Sequence, residues 1–529
     1  MTLAKSLAVS LLGLSATLIE VEADIGGQLP NFFLVGLPDA SLSEATSRVR
    51  SAITNSGLAW PARRITVNLS PASVPKQGSS FDLSIAMAVL AASGAGSNAA
   101  ITNASIASTL HIGELTLDGS VRPVPGILPM VKAARDLGAT CVMVPHASLA
   151  EASLILGIEV VGVRSLKQAV AWHAGDKEFN QGGATIERAG VMPCDAKISQ
   201  LDIADVKGQD FALHAMLVAA AGGHHVLMVG TPGAGKTMLA ERLPTLLPDL
   251  SVEEALESAA VASVVGRSVF GGDGVGLDLR PKFEAPHHSA SMSAIVGGGL
   301  KTPRPGAISL AHNGVLFLDE APEFQTPVLD ALRQPLESGE IRLHRSAGTA
   351  VFPARCQVIL AANPCPCGKA FSVSGCKCSA IARVRYAQKL SGPLLDRIDI
   401  RLVIQPVSAL KMRLLEDAHR TVPLTSKQGR MQVERARARA QTRLKATPWF
   451  TNSQVSATYL KGELRLESSV TLELDKALNR GRISMRGYDR CLRLAWTIAD
   501  LAGHDTPNTE DLAMALALRG DDAPLGANF

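Results

Sequence analysis

Gly230-Thr231-Pro232-Gly233-Ala234-Gly235-Lys236-Thr237 has the spacing GxxxxGK[ST] of a phosphate-binding loop. In that pattern glycines let backbone N–H groups turn inward around phosphate oxygens, and the following helix adds the positive end of its dipole. Lys236 then reaches the β/γ-phosphates of ATP and Thr237 offers a hydroxyl to Mg²⁺. The apolar run ending at Leu318 closes on Asp319 and Glu320. A carboxylate pair at a strand's C-terminal end sits where ligands bind in an open parallel sheet. Asp319 is expected to hold Mg²⁺ through water and Glu320 to polarise the attacking water, a general-base role worth ~10²–10⁴ in rate. A third apolar run, Gln357–Ala362, ends at Asn363, suited to orient that water or sense the γ-phosphate. The structural alternative is a turn asparagine before Pro364.

Other residues carry chemistry only in context. Arg397 stands between Asp396 and Asp399, where a salt-bridged surface arginine is the ordinary reading, and Arg486 opens a C-terminal helix. Cys365, Cys367, Cys376 and Cys378 form two Cys-x-Cys pairs, which fit a structural tetrahedral zinc, with free reduced thiols as the alternative. Residues 339–352 alternate and turn at Ser346-Ala347-Gly348, which predicts a β-hairpin bearing Arg342, His344 and Arg345 as phosphate-seeking groups for DNA. A solvated hairpin face is its alternative. His287 and His288 are adjacent and so point apart on any regular element, against a mononuclear metal site.

The elements that must position these groups are set by hydrophobic periodicity. Residues 1–172 alternate strand-like and helical runs, 173–200 read as a polar linker, 201–406 as a second α/β block, and 407–529 as helices. The motifs, with Ala285–His288 and Val296–Gly299 between them, resemble the magnesium-chelatase-like AAA+ ATPases of the YifB/ComM type over essentially the whole chain. The resemblance implies an α/β chain: an N-terminal Lon-protease-like α+β domain, a central P-loop parallel-sheet domain with a Cys-rich insertion, and a C-terminal helical lid. It makes Lys236/Thr237 the Walker A pair, Asp319/Glu320 Walker B, Asn363 sensor 1, Arg486 sensor 2, and Arg397 an arginine finger acting on the neighbouring subunit. Such fingers give ~10³–10⁵ in rate in GTPases. It further implies a homo-hexameric ring on single-stranded or branched DNA, working beside recombination proteins to migrate branches in recombination or transformation. The hairpin and the segment 280–300 would be its two pore insertions.

Pro75–Ser80 resembles the Lon nucleophile loop, putting Ser80 on the catalytic serine, but Leu128 stands at the lysine. A Ser–Lys dyad needs an amine to take the hydroxyl proton, so no protease is expected, with Lys132 one helical turn later. Asp39-Ala40-Ser41-Leu42-Ser43 matches a metal-adhesion motif, yet Ser41-x-x-Glu44 reads better as a capping box.

Composition sets the outer limits. Lys+Arg 52 against Asp+Glu 48 is too balanced for a histone-like binder, and 4% aromatics argue against a base-stacking platform. Residues 6–19 imitate a short signal peptide and 83–113 lack charge, but neither run makes ~20 uninterrupted apolar residues, so no membrane span is expected. Four crowded and four scattered cysteines fit a reducing cytoplasm. A chelatase-like or protein-remodelling ATPase acting on a protein partner is the alternative to the DNA motor.

Overall fold

Ile19, Val21, Ala23 and Ile25 are buried alternately along one strand, the period of two that puts one face into a core. That strand, β2 (Ser15–Gly26), pairs antiparallel with β1 (Thr2–Leu12), so the run imitating a signal peptide is the start of a sheet. The computed structural model describes residues 2–27, 29–36, 44–76, 78–94, 103–175, 201–271, 276–299, 302–345, 348–369, 375–407 and 423–520. The first sheet adds β3 (Asn31–Val35), β4 (Arg64–Ser70), β5 (Thr109–His111), β6 (Cys141–Pro145) and β7 (Glu159–Val163), in the order β3-β4-β2-β1-β5-β6-β7. Its pairings are mixed, and helices α1 (Ala45–Asn55) and α2 (Asp82–Ser93) share its core. The uncharged stretch thus opens inside the buried helix α2, and among the described residues no helix is long and apolar enough to cross a membrane.

One expectation in this region changes. Glu44 stands at the N-cap of α1, with no side-chain cap bond, instead of at the third helical position of a capping box. Asp39–Ser43 lie outside the described residues.

Helix α3 (Ile127–Asp136) explains the leucine at the Lon lysine position. Leu128 is buried among Ala255, Ala259 and Ala260, and its N–H reaches Ser263 Oγ at 3.3 Å, while Gly126 N–H donates to Ser263 O at 2.9 Å. The face that would carry an amine is the seam with the next module, where an unpaired charge would be costly. Lys132 is exposed on the same helix and acts, after His312, to hold Glu257 below its ordinary value.

The second module is a five-stranded, wholly parallel sheet. After α4 (Asp210–Gly222) come β8 (Val226–Gly230), α5 (Lys236–Leu246), α6 (Val252–Val264), β9 (Phe283–Glu284) and β10 (Val315–Leu318). The hairpin β11 (Glu340–Arg345) and β12 (Gly348–Pro353) precedes β13 (Gln357–Ala362), α7 (Ala380–Gln388) and β14 (Ile400–Ile404). The order is β9-β10-β13-β8-β14. Every residue of β8, β10 and β13 is buried, as expected of strands covered on both faces. The C-terminal helices α8 (Ser426–Leu444), α9 (Ser468–Asn479), α10 (Met485–Ala502) and α11 (Thr509–Arg519) share a core with α4 and β8. Thr425, Ser484 and Asn508 cap α8, α10 and α11 by accepting backbone N–H bonds.

Candidate functional site

The C-terminal ends of β8, β10 and β13 bring the phosphate loop, the carboxylate pair and Asn363 together. Gly233 and Gly235 adopt φ of +77° and +92°, and a Cβ on Gly230 would lie 2.5 Å from Ile404 O, so the loop needs glycine at these points. Lys236 begins α5, is 8% exposed, and spends its three donors on Gly230 O (2.7 Å), Thr231 O (3.1 Å) and Asn363 Oδ1 (3.2 Å). Burial pushes its ammonium below the ordinary value, opposed by Asp319 and Glu320. Thr237 Oγ1 donates to Asp319 Oδ2 at 2.9 Å, joining the two groups read as Mg²⁺ partners. Pro232 and Ala234 complete the loop, and Thr231 is buried. Oxygen ligands from a hydroxyl and a carboxylate suit Mg²⁺, and an ammonium with uncharged acceptors suits an incoming phosphate.

Glu320 is one of two non-glycine residues with positive φ among the described residues, at φ 50° and ψ 43°. Such a backbone costs of order 1–3 kcal/mol and marks functional turns. It swings the carboxylate off the strand toward His288, whose Nδ1 is 3.3 Å from Glu320 Oε2. The sequence offered no sign of this partner. The rings of His287 and His288 also lie together, centroids 4.1 Å apart and planes tilted by 34°, instead of pointing apart, because they lie in an irregular turn where strand alternation does not apply. Among the described residues the one cluster with metal-ligand spacing contains no histidine.

Arg397 and Arg486 line a different cavity, of about 150 Å³, with Glu337, Asp396, Asp489, Arg490 and Arg493. Neither flanking aspartate holds Arg397. It pairs with Glu337 and donates to Pro393 O at 2.5 Å, while Asp396 pairs with Arg486 at 2.9 Å and buried Asp399 with Arg490 at 2.6 Å. Glu337 is far off in sequence, which is why spacing missed it.

The hairpin buries Ile341 and Leu343 and exposes Arg342 and His344, with Arg345 exposed at its tip. Arg342 is bound to Glu340 at 2.5 Å, His344 Nδ1 lies 2.9 Å from Thr349 Oγ1, and Arg345 Nε donates to Gly299 O at 3.0 Å. The two segments read as pore insertions are therefore neighbours.

The sulfurs of Cys365, Cys367, Cys376 and Cys378 lie within 4.8 Å of one another, with 3.3, 3.5 and 3.6 Å between three of the pairs. A tetrahedral zinc with Zn–S of ~2.3 Å has S···S edges of about 3.8 Å, so the donor set fits with small movements. The Lys369 N–H and neighbouring thiols pull the Cys367 thiol down to about 6, toward the thiolate that ligates metals.

Residues 202–412 match the family described as magnesium chelatase, subunit ChlI; residues 21–148 match subunit ChlI of Mg-chelatase, and 423–519 its C-terminal part. The uncharacterized protein Rv2897c of Mycobacterium tuberculosis is 47% identical over 98% of this chain and 99% of its own. YifB of Escherichia coli, also uncharacterized, is 39% identical over 97% and 96%. The competence protein ComM of Haemophilus influenzae is 38% identical over 96% of both chains. A stretch of 154 residues, 28% of this chain, is 29% identical to Lon protease 2 of Bacillus subtilis.

Proposed function

Because the chain belongs to the YifB/ComM-type, magnesium-chelatase-like family, we propose that it is an ATP-hydrolysing AAA+ motor working as a homo-hexameric ring on DNA. Its task in this reading is branch migration in recombination or natural transformation, in the cytoplasm and beside recombination proteins. The observation that carries the ATPase part is the convergence of Lys236, Asn363, Thr237 and Asp319 at one sheet edge.

Lys236 would exchange its neutral carbonyl partners for phosphate oxygens, a gain because the acceptor then also carries charge and adds Coulomb attraction to the hydrogen bond. Asp319 and Thr237 would hold Mg²⁺, which supplies charge neutralisation at the phosphates. Glu320 would leave His288 and accept the proton of the attacking water, which Asn363 orients. Arg397 and Arg486 share one cavity away from these contacts, which suits a neighbour's nucleotide docking there. Arg342, His344 and Arg345 face solvent where six copies would line a pore and meet phosphates of single-stranded or branched DNA. The four cysteines would hold a structural zinc.

The name of the Haemophilus relative, a competence protein, supports the DNA substrate. The ion pair of Arg342 with Glu340 favours the second reading, a chelatase-like or protein-remodelling motor, since it leaves the hairpin less cationic. ATP turnover measured with and without forked or Holliday-junction DNA, together with strand displacement, separates the two. Stimulation by branched DNA is expected; turnover indifferent to DNA and no displacement would give the protein-remodelling reading the field.

A further inference from the structure

The cysteine segment begins and ends at the nucleotide site. Cys365 lies two residues beyond Asn363, whose Oδ1 accepts from Lys236. After Cys378, Ser379 caps α7, and buried Tyr386 on that helix lies by the Asn363 backbone, which offsets part of the rise that burial imposes on its hydroxyl. Between these ends, buried Gly368 lies directly on the phosphate loop. Its φ is +71°, and a Cβ there would come 2.7 Å from both Cδ and Cγ of Pro232. The four sulfurs thus belong to one short segment that touches the phosphate loop at Pro232 and leads into the residue touching Lys236.

A metal tying four thiolates together would fix Cys365 and Cys367, which lie between Asn363 and the Gly368–Pro232 approach, the residues that a nucleotide on the phosphate loop would meet. A ligand that orders what a second ligand must order lowers the second one's cost, and the effect is reciprocal. We propose that zinc at Cys365, Cys367, Cys376 and Cys378 is coupled to the nucleotide site through the Gly368–Pro232 contact and Asn363, so that zinc and ATP each raise the other's affinity. The inference rests on reading residues 230–237 as an ATP site.

The test uses the full chain, freed of metal by a chelator under reducing conditions and then reloaded. The affinity of a fluorescent, slowly hydrolysed ATP analogue is measured with and without zinc, and zinc affinity is measured by competition with a chromophoric chelator, with and without saturating analogue. Both should shift by one common factor, about tenfold within the range typical of coupled sites. Should the metal-free chain fail to fold, Gly368→Ala keeps all four thiols and tests the contact in zinc-loaded protein. It is expected to bind zinc but to bind the analogue several-fold more weakly, and to lose the nucleotide-dependent gain in zinc affinity. Zinc bound with no shift in either affinity, or a zinc-loaded Gly368→Ala chain with unaltered analogue affinity, overturns the coupling and leaves the ATP site standing. Absence of zinc binding overturns the coupling alone, and absence of analogue binding under all conditions overturns both readings.

Discussion

A carboxylate held by a histidine must be released before it can serve as a base, and Glu320 is in that position beside His288. Glu320→Gln keeps the phosphate loop and the Thr237–Asp319 pair, so nucleotide binding should survive while turnover falls by ~10²–10⁴. Equilibrium binding and steady-state hydrolysis on the same preparation check this, and near-normal hydrolysis would remove Glu320 from the mechanism. His111 Nε2 and His173 Nε2 are 2.9 Å apart in the N-terminal core, with Ser6 on one outer nitrogen and Ser105 on the other. Burial holds His111 well below its ordinary value and His173 at about 4. A histidine whose folded value lies below its unfolded one stabilises the fold above pH ~6.5, and that contribution is lost as pH falls toward ~4. The loss for His173 reaches about 3 kcal/mol by the linkage relation. Thermal unfolding from pH 7 to pH 4 should show the Tm falling in this window, less steeply in His173→Gln; equal slopes in the two chains would exclude the pair as the cause.

At the scale of elements, the hairpin β11–β12 is amphipathic by strand alternation, and its solvent face is where DNA and protein substrates part company. If Arg342 and Arg345 contact phosphates, their double alanine variant should bind DNA more weakly by a similar factor whatever the sequence, since phosphates carry no base information. Its log–log salt slope should flatten by about 1.8 on duplex or 1.4 on single strands, two contacts being removed. Titrations at several salt concentrations read this directly, and an unchanged slope would make the face a solvated edge. The same hairpin also supports the N-terminal sheet: a Cβ on Gly13, at the β1–β2 turn, would come 3.0 Å from Ala350 Cβ. The hairpin and the first module are therefore in direct contact.

At the scale of the molecule, Arg397 and Arg486 occupy one cavity while Lys236 and Glu320 occupy another site, so a working centre needs two subunits in our reading. Arg397→Ala should lose ~10³–10⁵ in turnover if it acts as fingers do in GTPases. Mixed with Lys236→Ala it should regain activity, because an intact loop then meets an intact arginine at about a quarter of the interfaces of a closed ring. Equal inactivity of the mixture and of each parent would place Arg397 in its own subunit's chemistry or in none.

Local order was legible in the residues themselves. The phosphate loop, the apolar runs closing on Asp319 and on Asn363, the hairpin and the four cysteines each lie within a short stretch, where glycine freedom, side-chain period and ligand spacing act between near neighbours. The signal-like run at 6–19 was excluded as a span by its length, and folding showed it to be the start of the first sheet. Which groups meet across long separations was decided only by folding. His288 at Glu320, Glu337 at Arg397, Arg490 at Asp399, Gly368 on Pro232 and Leu128 in the seam against Ser263 all join residues from different elements. Such pairings depend on strand order and on how modules pack, and no periodicity along the chain encodes them. The adjoining rings of His287 and His288 show the same limit at short range, since the rule that neighbours point apart holds only inside a regular element and the tertiary packing made theirs an irregular turn.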